Sequence, residues 1–281
     1  TYEGTTYFDG FSYIPIPNIG QIWNFNQPIN TWHGVQLNGE GCVEIVALNN
    51  SGLSGTIPDL NLPNLVSFVC SNNTLSGSIP DFSNLPNLIS FVCFFNNLNG
   101  NILDFSNLPN LQSFWCSSNT LSGSIPDFNN LPNLVSFSCS SNTLSGSIPD
   151  FSNLPNLQEF FCSSNTLSGS IPDFSNLPNL QVFHCFDNSI SGNIPDFNLP
   201  SLRGFECYSN TLSGSIPDFS NLPNLEFFRC SSNTLSGNIP DFSNISNLVS
   251  LFCSKNNLTG IIPNFSDNCP LLNSVVVEDN L

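Results

Sequence analysis

The sequence predicts a β-solenoid, in which each turn of the chain adds one strand to a parallel sheet. The first observation is a repeat, because the 23-residue unit at residues 134–156 recurs almost unchanged along the chain. A repeat of this length is typical of a solenoid. The second is alternation of inward and outward positions around Phe137 and Cys139, which indicates a strand. The third is Gly146 and Pro149, which exclude a helix from the rest of the unit.

Cysteines mark the register of this repeat. Successive cysteines lie 23 residues apart, except for one 22-residue step that ends at Cys207 and removes a residue from the back loop at 197–200. Strand starts counted from Val43 to Leu272 predict eleven turns, the last of them incomplete, and a sheet roughly 50 Å long. The register cysteines are Cys70, Cys93, Cys116, Cys139, Cys162, Cys185, Cys207, Cys230 and Cys253.

An asparagine follows three residues after each register cysteine, as Asn142 follows Cys139. A buried amide can bond the backbone of its own turn and of the next. The whole pattern, L-x-x-L-x-L-x-x-N-x-L-x-G-x-I-P, resembles the plant-type leucine-rich repeat over residues 43–281. The resemblance implies a leucine-rich repeat solenoid with a parallel sheet on the concave face. It also implies a second short strand ladder at segments such as 143–148, and loops, turns and short 3-10 segments on the convex face.

Residues 1–42 do not repeat and are predicted to form an aromatic N-terminal cap ahead of the solenoid at 43–281. The Trp-His-Gly-Val run at residues 32–35 resembles the W-x-G-V cap of plant-type repeats, although Asn30 and Leu37 replace its usual cysteines. Aromatic side chains would cover the open end of the first turn. An aromatic ligand groove is the alternative. The aromatic residues are Tyr2, Tyr7, Phe8, Phe11, Tyr13, Trp23, Phe25 and Trp32.

The C-terminal turn stops at Leu281, partway through a repeat. Val275, Val276 and Val277 are predicted to form a terminal strand with no cap after it. Three explanations stay open: the natural chain continues into an anchor or sorting domain, the chain was cut, or the strand pairs with another subunit. Self-association would then use this strand and the N-terminal cap. The start at Thr1, without Met or a signal sequence, predicts a processed or trimmed product.

Composition narrows the partners and the compartment. The 281 residues are 40% hydrophobic, enough for a continuous core, and only 8% charged, with a formal net charge of −17. Nucleic acid is not expected as a partner, because phosphate binding needs clustered Lys and Arg. No apolar run is long enough to span a membrane. A polar surface and five N-glycosylation sequons favour an extracellular or cell-surface location. The sequons start at Asn49, Asn72, Asn244, Asn257 and Asn264.

The register cysteines are predicted to be buried thiols rather than disulfides. One inward column would hold them about 4.8 Å apart with parallel side chains, whereas a disulfide needs Cβ atoms about 3.5–4.5 Å apart that point toward each other. Cysteine packs well as a small hydrophobic residue. Cys269 replaces an inward leucine and is expected to be buried as well.

An aspartate follows the Ile-Pro pair of most turns. Capping of the backbone in the Phe-Ser-Asn turn explains these side chains without a metal. A calcium ladder is the alternative, but Ca²⁺ needs six to eight oxygens and each turn offers one carboxylate. No metal or cofactor is therefore expected. The aspartates are Asp59, Asp81, Asp104, Asp127, Asp150, Asp173, Asp196, Asp218 and Asp241.

The copies differ mainly at outward positions of the predicted concave strands. All three basic residues of the chain fall there, beside exposed aromatic positions. Such residues are typical of interface hot spots. These positions predict a ligand-binding face centred between Trp115 and Arg229; Phe95, Gln158, Glu159, Gln181, Asp187, Glu226 and Phe227 are variable neighbours. The candidate residues are Val92, Phe94, Trp115, Phe161, His184, Phe186, Arg203, Glu206, Tyr208, Arg229, Phe252 and Lys255.

Three functions compete. The first is an extracellular or surface recognition module that binds a protein or glycan on the concave sheet. The alternative explanation of that face is that Glu206 and Arg229 merely pair while aromatic rings shield the sheet. The second function is a structural subunit that stacks end to end into a fibre or coat. The third is ice binding by rows of small hydroxyls such as Thr143, Ser145 and Ser147. No enzyme is predicted, because His184 and its neighbours lack a nucleophile, a closed pocket and metal-ligand spacing.

Overall fold

The structure is a computed structural model that describes residues 27–265 and 269–281. After a 3-10 helix at Ile29–Thr31, strands β1 to β22 follow in chain order; β1 and β2 both belong to a large concave sheet, and from β2 onward the strands alternate between that sheet and a lateral face. The concave sheet holds β1 (Val35–Leu37), β2 (Val43–Ala47), β4 (Ser67–Val69), β6 (Ser90–Val92), β8 (Ser113–Trp115), β10 (Ser136–Ser138), β12 (Glu159–Phe161), β14 (Val182–His184), β16 (Gly204–Glu206), β18 (Phe227–Arg229), β20 (Ser250–Phe252) and β22 (Ser274–Val276). The lateral strands are β3 (Ser54–Thr56), β5 (Thr74–Gly77), β7 (Asn97–Asn101), β9 (Thr120–Ser122), β11 (Ser145–Ser147), β13 (Thr166–Ser168), β15 (Ser191–Asn193), β17 (Thr211–Ser213), β19 (Ser236–Asn238) and β21 (Asn257–Thr259).

The predicted solenoid is confirmed. Each concave strand from β2 onward pairs in parallel with the concave strand of the next turn, in register and up to β22. Strand β1 is the exception, because it runs antiparallel to β2 and places Val35 opposite Val46. It therefore covers the first edge of the parallel ladder. The aromatic residues from Tyr2 to Phe25 lie outside the described residues, so the cap and its boundary at residue 42 stay predictions.

Two columns of phenylalanine fill the core. The first column comes from the concave strands. In it, the ring of each turn stacks on the ring of the next turn, as Phe137 and Phe160 do with centroids 5.7 Å apart. A second column from the convex turns meets the first edge-on, with Phe151 at 5.0 Å from Phe160. Each such pair adds about 0.5–1.5 kcal/mol beyond the burial of its area. The aromatic columns therefore stabilise the stacking of one turn on the next.

The convex turns put phenylalanine into a left-handed backbone conformation. Phe128 and Phe151 have φ of 51° and 52°, yet both rings are fully buried. This conformation costs a non-glycine residue about 1–2 kcal/mol, and burial of a phenylalanine ring returns about 1.5–3 kcal/mol. The aspartate before the ring stabilises the turn, since Asp150 Oδ1 accepts a 3.0 Å hydrogen bond from the N–H of Ser152.

The capping role of the aspartates holds in seven turns. Each of these carboxylates accepts a bond from the backbone N–H two residues later, whereas Asp59 and Asp196 begin shortened turns of different sequence. Within the described residues, no three His, Cys, Asp or Glu side chains are grouped as metal ligands would be. The capping residues are Asp81, Asp104, Asp127, Asp150, Asp173, Asp218 and Asp241.

The predicted asparagine ladder joins consecutive turns. Asn142 Nδ2 donates to the carbonyl of Cys139 in its own turn at 3.0 Å and to that of Cys116 in the preceding turn at 3.1 Å. Its Oδ1 accepts from the N–H of Leu121 at 2.9 Å. The amide thus satisfies backbone groups that the turn would otherwise bury without partners. The same arrangement recurs at Asn73, Asn96, Asn119, Asn165, Asn188, Asn210, Asn233, Asn256 and Asn280.

The lateral face carries rows of small polar side chains. In its first row, Thr143 and Thr166 each donate from Oγ1 to the carbonyl of the preceding turn at 2.8 Å. These bonds fix the side chains in one rotamer. Among the described residues, no helix has the length and apolar content that a membrane crossing requires.

All eleven cysteines are thiols, as the spacing predicts, and all but the half-buried Cys42 are buried. Burial raises the pKa of Cys70 to about 12 and that of Cys253 to about 11. Burial also raises the pKa of Cys139 well above its ordinary value, with a smaller contribution from Cys116. The thiol column therefore stays neutral in the folded protein well into the alkaline range.

This column predicts alkaline instability. Above pH 8.5 the unfolded chain loses thiol protons that the folded chain keeps, so the free energy of unfolding falls as pH rises. Between pH 7 and pH 9 the fall is about 0.8 kcal/mol per buried thiol, or about 7 kcal/mol for the nine register cysteines. Urea denaturation followed by circular dichroism, with reductant present, measures it. Cys139→Ala should reduce the fall by about 0.8 kcal/mol; equal stability at both pH values would contradict the prediction.

Candidate ligand-binding face

The parallel register aligns the candidate residues across the concave sheet. In the central column, His184 lies opposite Glu206, Glu206 opposite Arg229, and Arg229 opposite Phe252. Each strand contributes to this column the residue just before its register cysteine. The column therefore has the same position in every turn, while its side chains differ in chemistry. We call Phe161, His184, Phe186, Glu206, Tyr208, Arg229 and Phe252 the central cluster.

The central cluster contains the cation Arg229. Arg229 Nη1 lies 3.1 Å from Glu206 Oε1, and the guanidinium carbon lies 5.0 Å from the centroid of the Phe252 ring. The Arg229 side chain is partly exposed, while Glu206 is nearly buried. The Nε atom of Arg229 is buried and has no hydrogen-bond acceptor among the described residues. The guanidinium is therefore held from one side and open to solvent on another.

Aromatic rings form the rest of the central cluster. Phe186 and Tyr208 stack almost in parallel, with centroids 4.3 Å apart, and Phe161 meets His184 edge-on at 5.1 Å. Phe161 and Phe186 are only 7% and 8% exposed. Both rings therefore act mainly as support, and a ligand would reach Tyr208, Arg229 and Phe252 more directly.

The environment keeps His184 neutral. Burial, and then the positive charge of Arg229, lower the pKa of His184 to about 4. The 3.9 Å distance between His184 Nε2 and Glu206 Oε1 is therefore not an ion pair at neutral pH. Burial raises the pKa of Glu206, and Arg229 opposes that shift. Glu206 pairs with Arg229, and His184 fills space beside the pair.

The two other cations lie beside the central cluster. Arg203 is bound to Glu226, with Nε at 2.9 Å and Nη2 at 2.8 Å from the same Oε1. This pair is more exposed than the pair at Arg229, so solvent weakens it. Lys255 is exposed on the turn after β20, at a φ of 54°. The positive charge of the chain is thus gathered toward one end of the concave face.

The remaining candidates form a separate group nearer the N-terminus. Trp115 Nε1 donates to Ser136 Oγ at 2.9 Å, and that hydroxyl donates to Glu159 Oε2 at 2.8 Å. Phe94 lies 6.5 Å from Trp115, and Val92 lies opposite Trp115 on the neighbouring strand. The structure therefore divides the predicted residues into the central cluster with two flanking cations and this aromatic group.

Two accessible rings stand among the variable neighbours rather than among the predicted candidates. Phe95 is 57% exposed and Phe227 is 38% exposed. Variation between the copies marks both positions. Strand alternation also places Phe227 on the outward face, two residues before Arg229, whereas Phe95 follows the strand and alternation does not orient it. Exposure is the signal that identifies them, and exposure requires the structure.

The C-terminal strand β22 pairs with β20, and Val275 is 40% exposed. Self-association through Val275, Val276 and Val277 stays a prediction.

Comparisons with known proteins identify the repeats. A model for leucine-rich repeats, in two copies, matches residues 109–153 and 132–177, and a single leucine-rich repeat model matches residues 247–269. The chain is built of leucine-rich repeats. No curated protein sequence matches it. The plant-type consensus and the W-x-G-V cap stay interpretations of the sequence.

Solved structures with leucine-rich repeats share this fold. The plant peptide hormone receptor RGFR1 in complex with RGF2 is 34% identical, with a TM-score of 0.71, over 85% of this chain and 44% of that one. The Arabidopsis receptor kinase HAESA, with the peptide hormone IDA and the co-receptor SERK1, is 30% identical with a TM-score of 0.74, over 92% and 49%. A plant ice-binding protein is 24% identical with a TM-score of 0.76, over 92% and 91%, and shows the fold alone. This leucine-rich repeat chain spans less than half of each of the two receptors.

The neutral His184 predicts a loss of stability in acid. Below pH 6.5 the unfolded leucine-rich repeat chain binds a proton that the folded chain resists, so the free energy of unfolding falls as pH decreases. Between pH 7 and pH 5 this contribution is about 2 kcal/mol. Urea denaturation at both pH values, for the wild type and for His184→Phe, measures it. Between pH 7 and pH 5, the free energy of unfolding of the variant should fall by about 2 kcal/mol less than that of the wild type. Equal falls in the two proteins would show that His184 does not titrate in this way.

Proposed function

We propose that this leucine-rich repeat chain is an extracellular or cell-surface recognition module that binds a protein ligand on its concave face, centred on the central cluster. The observation that carries the proposal is the location of Arg203, Arg229 and Lys255. In a chain of net charge −17, all three cations lie on or beside this face. The Phe252 ring lies against Arg229, and further aromatic rings belong to the same cluster; such combinations dominate binding energy at protein interfaces.

The Arg229 pair is prepared for contact with a ligand. Glu206 and the Phe252 ring hold the guanidinium in place before any ligand arrives. A fixed side chain loses less conformational entropy on binding than a free one. A ligand that covers Arg229 would also remove water from its pair with Glu206 and strengthen that pair. The cluster therefore combines a fixed cation with an apolar surround.

The comparisons support a protein ligand over a glycan and a recognition role over catalysis. The two receptors, at 34% and 30% identity, are described as a plant peptide hormone receptor in complex with RGF2 and a receptor kinase in complex with the peptide hormone IDA and a co-receptor. Receptors of this kind also support the proposed extracellular or surface location. Glycan binding is the alternative on the same face.

Two variants test the proposed site. Peptides are first selected on the wild-type protein from a displayed library of random dodecapeptides. Arg229→Gln and Phe252→Ser should each weaken the selected peptides by about tenfold or more, because each removes a central anchor. Ser175→Ala, on the exposed convex turn, is the control and should change nothing. Fluorescence anisotropy gives the affinities, and circular dichroism confirms folding. Unchanged affinity in both concave variants would remove the central cluster from the proposal.

Ice binding is a second candidate, which the lateral face favours. Exposed hydroxyls such as Thr143, Thr166 and Thr234 repeat once per turn, and each is fixed by a 2.8 Å bond to the preceding turn. The hydroxyl proton is used internally, so each oxygen can act toward water only as a hydrogen-bond acceptor. A regular array of this kind can order water over a flat surface.

Ice-crystal shaping and thermal hysteresis test this candidate. Ser168→Tyr places a bulky ring in the middle row of the lateral face, so it should abolish any activity that the wild type shows. Ser175→Tyr, on the exposed convex turn, is the matched control and should retain it. A wild-type protein that does not shape ice crystals would dismiss the candidate.

A further inference from the structure

Phe95 combines two properties that both disfavour phenylalanine. Its backbone is left-handed, with φ of 53°, a conformation that is a marked outlier for a bulky residue. Its side chain is 57% exposed. The left-handed phenylalanines of the convex turns, such as Phe105 and Phe128, have buried rings. Phe95 therefore has the conformational strain of these residues without the burial that offsets it.

Other turns show what this position requires for folding. The equivalent residue is also left-handed there, and it is small, polar or charged. Asparagine and aspartate tolerate a left-handed backbone better than phenylalanine does. Folding therefore does not call for an aromatic ring at this place. The equivalent residues are Asn72, Ser118, Ser141, Ser164, Asp187, Ser209, Ser232 and Lys255.

Phe95 belongs to a patch of three rings, Phe94, Phe95 and Trp115, which we call the aromatic corner. Phe94 and Phe95 meet edge-on, with centroids 5.6 Å apart and planes at 76°. Phe94 and Trp115 are inclined at 44°. The rings therefore enclose an angle and do not form a common plane. Trp115 also directs its indole N–H to Ser136, which leaves apolar ring surface in the corner.

The strands that carry the aromatic corner, and the strand before them, are uncharged, and the carboxylate of Glu159 is joined to Trp115 through the hydroxyl of Ser136. Residues 65–73, 88–96 and 111–119, which form the three neighbouring concave strands and the turns after them, contain no Asp, Glu, Lys or Arg. A charged group placed among these rings would lose hydration and would find no charged partner on the three strands. A compact, branched aliphatic side chain fits an apolar angle of this kind.

We infer that the aromatic corner is a second contact site, which takes an aliphatic side chain of a polypeptide ligand, with Phe95 as its anchor. This inference rests on the proposed protein recognition but not on the central cluster. Six strand steps separate β6 from β18, roughly 29 Å along the sheet. An extended peptide spans that distance with about nine residues. One ligand can therefore contact both sites, and a shorter one can use the aromatic corner alone.

Phe95→Ser tests the inference, because serine occupies this position in several other turns. We expect the thermal midpoint of Phe95→Ser to equal or exceed that of the wild type. Phe105→Ser, at a left-handed but buried phenylalanine, should lower it clearly. A lowered midpoint in Phe95→Ser comparable to that in Phe105→Ser would show a structural role for Phe95 and overturn the inference.

The binding experiment uses random dodecapeptides selected on the wild-type protein and a glycan array. Selected peptides rich in Leu, Ile or Val should lose about tenfold or more affinity for Phe95→Ser. Unchanged affinity for Phe95→Ser would overturn the inference, as would a glycan signal that depends on Phe95 without any such peptide. The experiment tests the aromatic corner and the central cluster independently of each other. Loss with Phe95→Ser but not with Arg229→Gln supports the aromatic corner alone, and the reverse supports the central cluster alone.

Discussion

The asparagine of each turn makes the interaction on which the rest of the structure depends. Its amide bonds carbonyls in its own turn and in the preceding one, as Asn142 does with Cys139 and Cys116. These carbonyls lie where the backbone bends away from the sheet, so the sheet itself does not satisfy them. A turn that lost the amide would leave buried polar groups in two turns, which costs about 1–3 kcal/mol for each group. The ladder therefore fixes the rise and register from turn to turn.

A fixed register determines where the sequence is free to vary. Inward positions must repeat, because each phenylalanine stacks on the same residue of the next turn, as Phe160 does on Phe183 at 5.5 Å. Convex positions must repeat because the aspartate and the left-handed phenylalanine form one turn. The outward positions of the concave strands take part neither in the stacking of the core rings nor in the convex turn. A recognition surface can change there from turn to turn without disturbing the stacking.

The sequence predicts the fold in detail because a repeat shows each residue's role many times. The 23-residue period, the inward columns, the free thiols and the capping aspartates all follow from position within the unit. The sequence predicts the candidate ligand-binding face less completely. Variation identifies Phe161 and Arg229 equally, yet the Phe161 ring is buried and the Arg229 side chain is partly exposed. Side-chain direction depends on neighbours across several strands, which a single strand pattern does not contain.

Electrostatic environment is likewise a property of the assembled face. His184 and Glu206 are titratable residues on neighbouring strands, and the sequence suggests a pair between Glu206 and Arg229 without indicating the charge of His184. In the structure, His184 and Glu206 are both mostly buried, and both are close to Arg229. Glu206 and Arg229 form an ion pair, while His184 stays neutral. Burial rather than pairing decides the state of His184.

Comparison of residues that share a backbone conformation separates the demands of folding from other roles within this single chain. Phe95 and Phe128 share nearly the same backbone conformation, at φ of 53° and 51°. The Phe128 ring is buried, so the packed core compensates for its strain. The Phe95 ring faces solvent, so the folded monomer offers no comparable compensation. An exposed aromatic ring where other turns carry serine, asparagine or aspartate is a feature that folding does not explain, and the proposed role as an anchor for a ligand would account for both the ring and its exposure.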